Sequence, residues 1–155
     1  MTLENMLRTK LADPAASAGR HDVALTHHGW TVTLTVERGD AFSSQLWEVA
    51  LRRDTPRAGE LKGWADEVAE RATGLLEPLK LLEVDEARQV ALLRSAAPTA
   101  ADAGLNYYEV LLTAASAQLR RYQGYATPVQ PRQQIAFTLT HEALAKLLRD
   151  VTGDK

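Results

Sequence analysis

The chain contains no cysteine, which excludes disulfides, thiolate nucleophiles and Cys-ligated zinc or iron–sulfur centres. Aromatic residues are few, 6% of 155, so the three tryptophans and four tyrosines mark positions of unusual weight. Neither charge sign dominates: 18 Lys and Arg stand against 20 Asp and Glu, and the formal net charge is −2. That balance gives no long-range attraction to nucleic acid or to an anionic membrane. No apolar run approaches the ~18–20 residues a bilayer span requires. The opening MTLENMLRTKLADP is amphipathic and acid-containing and has no apolar signal-peptide core. These absences leave the expectation of a cytoplasmic protein. The preference for Arg over Lys and the abundance of Ala suggest a GC-rich bacterial genome.

What is present is ordinary globular composition, 45% hydrophobic and 25% charged, long enough for a single domain over residues 1–155. Leu3, Met6, Leu7 and Leu11 recur at helical spacing and predict a helix over about 3–12, ending before Pro14. The linker-like PAASAGR follows. The period then changes to two, predicting strands over about 22–53. Val23, Leu25 and His27 alternate with Ala24 and Thr26, Trp30, Val32, Leu34 and Val36 with threonines. A third strand carries Trp47, Val49 and Leu51 on one face. RGD at 38–40 reads as turn chemistry, Gly plus Asp, between the second and third strands.

The segment ELKGWADEVAERATGLLEP predicts a helix over about 60–76, with Leu61, Trp64, Ala65, Val68, Ala72 and Leu75 on one face. Further strands follow over about 79–139: KLLEV and RQVALLRS around a tight turn at Asp85-Glu86, then LNYYEVLLT and AQLRRYQ, then QIAFTLT. AAPTAADAG between them has loop composition, and the PVQP at 128–131 reads as a rigid connector more than as a polyproline ligand. Thr140 caps a last helix over about 141–152 that stops at Gly153. The expected fold class is α+β: a two-layer sandwich of an antiparallel meander, seven or eight strands, with three helices.

Candidate chemistry is sparse. His27 and His28 precede a strand, but a turn at His28-Gly29 would pair His27 with Trp30 and send the two imidazoles to opposite faces. No metal site is expected there. An alternative is a small-ligand or weakly enzymatic pocket between sheet and helices, lined by His27, Trp30, Trp47 and Trp64. The acids Glu83, Asp85 and Glu86 sit on one exposed turn, where their pKa values would stay ordinary. Ser43, Ser44, Ser95 and Ser116 lie in no nucleophile motif, and GELKG is no phosphate-binding loop. No cofactor is implied.

The most informative stretch is NYYEVLLTAASAQLRRYQ. A turn at Ala114-Ala115 puts Tyr108, Val110 and Leu112 opposite Arg121, Leu119 and Ala117 on the inner face. On the outer face Tyr107 meets Tyr122, Glu109 meets Arg120 as an ion pair, and Leu111 meets Gln118. Tyr107, Glu109, Leu111, Arg120 and Tyr122 have the composition of a protein interface. A basic-aromatic nucleic-acid patch is disfavoured by Glu109 and the overall acidity.

The order of elements (short helix, three-strand meander, central amphipathic helix, further strands, final helix) resembles that of type III secretion chaperones and their relatives. The likeness covers most of the chain and rests on topology, with no family motif to transfer residue by residue. It implies a homodimer that binds an extended segment of a partner protein on the outside of its sheet and helix layer. Two features depart from that pattern: a pI near 6.1 is higher than usual there, and the second half holds extra strands.

Overall fold

The computed structural model describes residues 2–11, 19–102, 104–125 and 130–153. Most of the predicted linker at 14–20, the proline expected to end the first helix, and the first half of the 128–131 connector lie outside the described residues. Within them the chain forms α1 (Leu3–Leu11), β1 (His21–His27), β2 (Trp30–Gly39), β3 (Ser43–Arg52) and α2 (Leu61–Arg71). Then come β4 (Leu79–Asp85), β5 (Val90–Ser95), β6 (Thr99–Ala101), β7 (Gly104–Thr113), β8 (Ser116–Gly124), β9 (Gln133–Ile135), β10 (Phe137–Thr140) and α3 (His141–Thr152). Among the described residues this is α+β, with three helices and one antiparallel sheet of ten strands rather than seven or eight.

The strands run in the order β1-β2-β3-β8-β7-β5-β4. The final strand, expected to be continuous, is split between two neighbours. β9 pairs with the far half of β8 (Arg121↔Ile135), and β10 pairs with the near half of β3 (Leu46↔Phe137). It fills the wedge that opens where β3 and β8 part beyond Val49↔Leu119. β6, read as loop from its small residues, instead makes a short hairpin with the start of β7, Thr99 opposite Asn106. The turn between β4 and β5 occupies 86–89, not Asp85-Glu86, and ends at Gln89 with φ +54°.

Alternation sets the core. Trp30, Val32, Leu34 and Val36 of β2, Tyr108, Val110 and Leu112 of β7, and Ala117 and Leu119 of β8 are buried. Leu61, Trp64, Ala65 and Val68 of α2 and Leu144, Leu147, Leu148 and Val151 of α3 complete the cluster. The helix ends follow the sequence at α3, where the Thr140 hydroxyl accepts from Ala143 N and Gly153 turns left-handed at φ +78°. α2 is shorter than expected, stopping at Arg71. Residues 72–78 leave the helix and still bury Ala72, Leu75 and Glu77.

That departure answers a need elsewhere. Arg121 faces inward on β8, as the pairing rule requires, and there it is 6% exposed. Glu77, 3% exposed, meets it with two hydrogen bonds of 2.9 Å. The Glu77 carboxylate also accepts from the hydroxyls of Ser95 on β5 and Thr99 on β6, at 2.7 and 2.6 Å. Burial alone would raise the Glu77 pKa, but the bonds from Arg121, Thr99 and Ser95 outweigh it and hold the carboxyl below its usual range.

Trp47 is the clearest correction to the predicted face. It was expected inward with Val49 and Leu51. The β2–β3 ladder instead passes from Thr35↔Glu48 to Val36↔Leu46 and then to Arg38↔Gln45, skipping Trp47 on one strand and Glu37 on the other. Each extra residue is a bulge that shifts the alternation by one. Leu46 therefore fills the core at 0% exposure, and the Trp47 indole donates to Glu37 at 2.7 Å. Arg20 covers the same indole, 3.9 Å from its centroid.

Two consequences for stability follow. Removing one member of the buried ion pair by Glu77→Ala should cost about 3–5 kcal/mol in urea unfolding, since it strands a guanidinium out of water. Trp64 packs on Trp30, with ring centroids 5.8 Å apart, and donates to Val151 O at 2.9 Å. Trp64→Ala should cost a similar ~3–5 kcal/mol, and a loss below about 1 kcal/mol would contradict its place in the core.

Candidate functional site

The β7–β8 hairpin has the register the sequence predicts, from Leu105↔Gly124 to Thr113↔Ser116. Four of the five predicted outer residues, Glu109, Leu111, Arg120 and Tyr122, border one shallow hollow of about 170 Å³ together with Gln118 and Arg132. Tyr107 stands beside it, its ring centroid 6.1 Å from that of Tyr122.

The ionic partners differ from the expected pair. Glu109 and Arg120 are opposite in register, but Arg120 bonds Glu48 of β3 at 2.8 Å. Glu109 is held by Arg94 of β5 at 3.0 Å and by Arg132 at 2.6 and 3.2 Å. Lateral neighbours on other strands compete for the same carboxylate, and sequence pairing within one hairpin cannot reveal them. Burial raises the Glu109 pKa, while the Arg132 and Arg94 bonds overcome that and keep it below the usual carboxylate range. Glu109 in turn raises the Arg132 pKa.

Each guanidinium also covers a ring. Arg132 lies 3.7 Å from the Tyr122 centroid and Arg94 lies 5.0 Å from that of Tyr107. Arg132 was not singled out in the sequence, because it follows the irregular GYATPVQP stretch and reaches the face only through the fold. The result is a row of charge (Arg94, Glu109, Arg120, Glu48) beside a row of aromatic rings. Leu111, 36% exposed, and the more exposed Leu105 flank them. Such a face can grip a partner by stacking and by directed hydrogen bonds, with side chains already held in place.

The other candidates separate. His27 pairs with Trp30, and His28 and Gly29 both have positive φ, +48° and +82°, the signature of a type I′ turn. The imidazoles do not diverge as expected: their centroids are 4.3 Å apart, edge to face, because the left-handed backbone at His28 turns its ring back. Among the described residues no group of three or more His, Asp or Glu could hold a metal ion. Trp30 and Trp64 are core, and Trp47 lies on the other side of the sheet. Between sheet and helices a void of about 10 Å³ borders Val49, Leu51, Val68 and Val151, room for one water at most. The four aromatic residues therefore line no common pocket.

Besides Glu77, a second buried titratable group escaped the sequence reading. His141, 1% exposed, begins α3 with its Nε2 3.4 Å from the Ser44 hydroxyl. Burial lowers its pKa and Arg8 adds to the effect, against opposing pulls from Asp40 and Glu4. Its contact with Ser44, itself 1% exposed, is sealed in the core and presents no nucleophile to a substrate. Among the described residues no helix is long and apolar enough to cross a membrane. No family model matches the chain, and no curated protein or solved structure matches it either.

Two measurements test this geometry. Because folding depresses the His141 pKa, the unfolded chain binds the proton first. Stability should be complete above about pH 6.5 and fall as pH drops below it, by at most about 1.4 kcal/mol per unit from this group. Denaturant titrations between pH 7 and 5 should show that slope, and His141→Gln should flatten it. On the outer face, Tyr122→Ala should cost only about 0.2–1 kcal/mol, the scale of one cross-strand pair, and leave the circular dichroism spectrum intact.

Proposed function

We propose that this chain is a protein-binding module, chaperone-like in acting through contact rather than chemistry, and that it works as a homodimer in a bacterial cytoplasm. In this reading the three helices form one layer of a two-layer sandwich, and the opposite face of the sheet receives a segment of the partner. The observation that carries the proposal is the Tyr107–Tyr122 pair clamped between Arg94 and Arg132. Tyrosine and arginine contribute disproportionately to binding energy at protein interfaces, and side chains fixed beforehand lose little entropy on association. Half-exposed Leu111 supplies apolar area to bury next to them.

The experiment pairs light scattering with cross-linking. The purified chain should have twice the mass of its monomer. Cross-linking in extract of the native host should join it to a discrete protein, and the Tyr107→Ala/Tyr122→Ala double variant, still folded, should lose that product by tenfold or more. A monomeric mass removes the dimer. A cross-linked product that survives the double variant removes this face as the binding site.

A further inference from the structure

Beside Tyr107 the outer face holds a second and larger hollow, of about 510 Å³. Its lining is chiefly apolar: Pro98, Leu105, Tyr107 and Tyr125, joined by Arg94. The remaining lining residues are Gly104 and Gly124. The two backbones approach so closely that a Cβ on Gly104 would collide with the Gly124 carbonyl oxygen. A Cβ on Gly124 would sit 3.3 Å from Tyr107 Cε1. Bare backbone thus lets the chain close up tightly beside the hollow, whose volume is in the range that holds a small molecule.

Charge gives the hollow a polarity. Arg94 and Arg132 share the single carboxylate of Glu109, and Arg120 is matched by Glu48. Exposed Lys80 stands opposite Arg94 in the β4–β5 register. The row therefore carries an excess of positive charge on the side nearest the hollow. Arg94 gives Nε and Nη2 to Glu109, so Nη1 stands outside that pair, and its side chain is 36% exposed. One guanidinium among apolar walls suits a monoanion; a phosphate dianion would need more donors than this lining offers.

We propose that this hollow binds a small monocarboxylic acid with an apolar aryl or branched alkyl body, its carboxylate on Arg94 and its body against Leu105, Pro98 and Tyr125. The site stands whether or not the neighbouring face binds a protein.

The test uses 3-phenylpropanoate, its neutral amide and phenyl phosphate as probes of the full chain, read by saturation-transfer NMR and by titration of backbone amide shifts. The acid should bind with shifts centred on Leu105, Tyr107 and Gly124, and the amide and phosphate should bind at least tenfold more weakly. Arg94→Gln should weaken the acid by about tenfold, about 1.4 kcal/mol. Gly124→Val should abolish binding by filling the hollow; Leu105→Trp does the same from an exposed position that folding tolerates. Absence of acid binding at about 1 mM, a range within reach of weak small-molecule sites, overturns the proposal. So does equal binding of acid and amide, or full binding by a folded Leu105→Trp protein.

Discussion

Arg121 and Glu77 meet out of water through paired hydrogen bonds, and much of the second half of the molecule is arranged around that meeting. A charge on the inner face of β8 is tolerable only with a countercharge beside it. Glu77 reaches that position because the chain abandons helix after Arg71 and runs on irregularly into β4. Its carboxylate then gathers hydroxyls from β5 and β6, and the same Ser95 hydroxyl accepts from Tyr108 N on β7. Five chain segments are thereby referred to one buried point. A slip of β8 by one residue would turn Arg121 to solvent and leave Glu77 buried alone.

The outer face inherits its order from that inner constraint. With Arg121 fixed inward, Arg120 and Tyr122 must face outward, and Tyr107 and Glu109 face outward across from them. The charges there pair sideways, over four strands, rather than within one hairpin. This lateral pairing lets a guanidinium serve two purposes, neutralising Glu109 while lying on a tyrosine ring. The face is therefore stiff without being covered, and a larger hollow adjoins it.

How much of this is legible in sequence depends on how local the cause is. The β1–β2 and β7–β8 registers follow from turn residues and alternation, both readable within about twenty positions, and the α3 caps are readable within four. Trp47 was misplaced because two opposed bulges shift the alternation, and a bulge leaves no mark in a pattern of apolar residues. Glu77 drew no notice in the sequence, since its partner lies 44 positions away. β6 read as loop because three small residues suffice when a neighbouring strand supplies the ladder. Arg132, and the carboxylate it serves, belong to the same class of long-range effect.

The divided last strand has a consequence for synthesis. β9 and β10 close two ladders at once, one on β8 and one on β3. A nascent chain that has not yet emerged past residue 132 carries both of those ladders open, beside an uncapped core that α3 has yet to cover. Exposed strand backbone of that kind invites pairing with other chains. The inner ladders on β8 and β3 are thus completed only by β9 and β10, so the middle of the sheet closes late in synthesis.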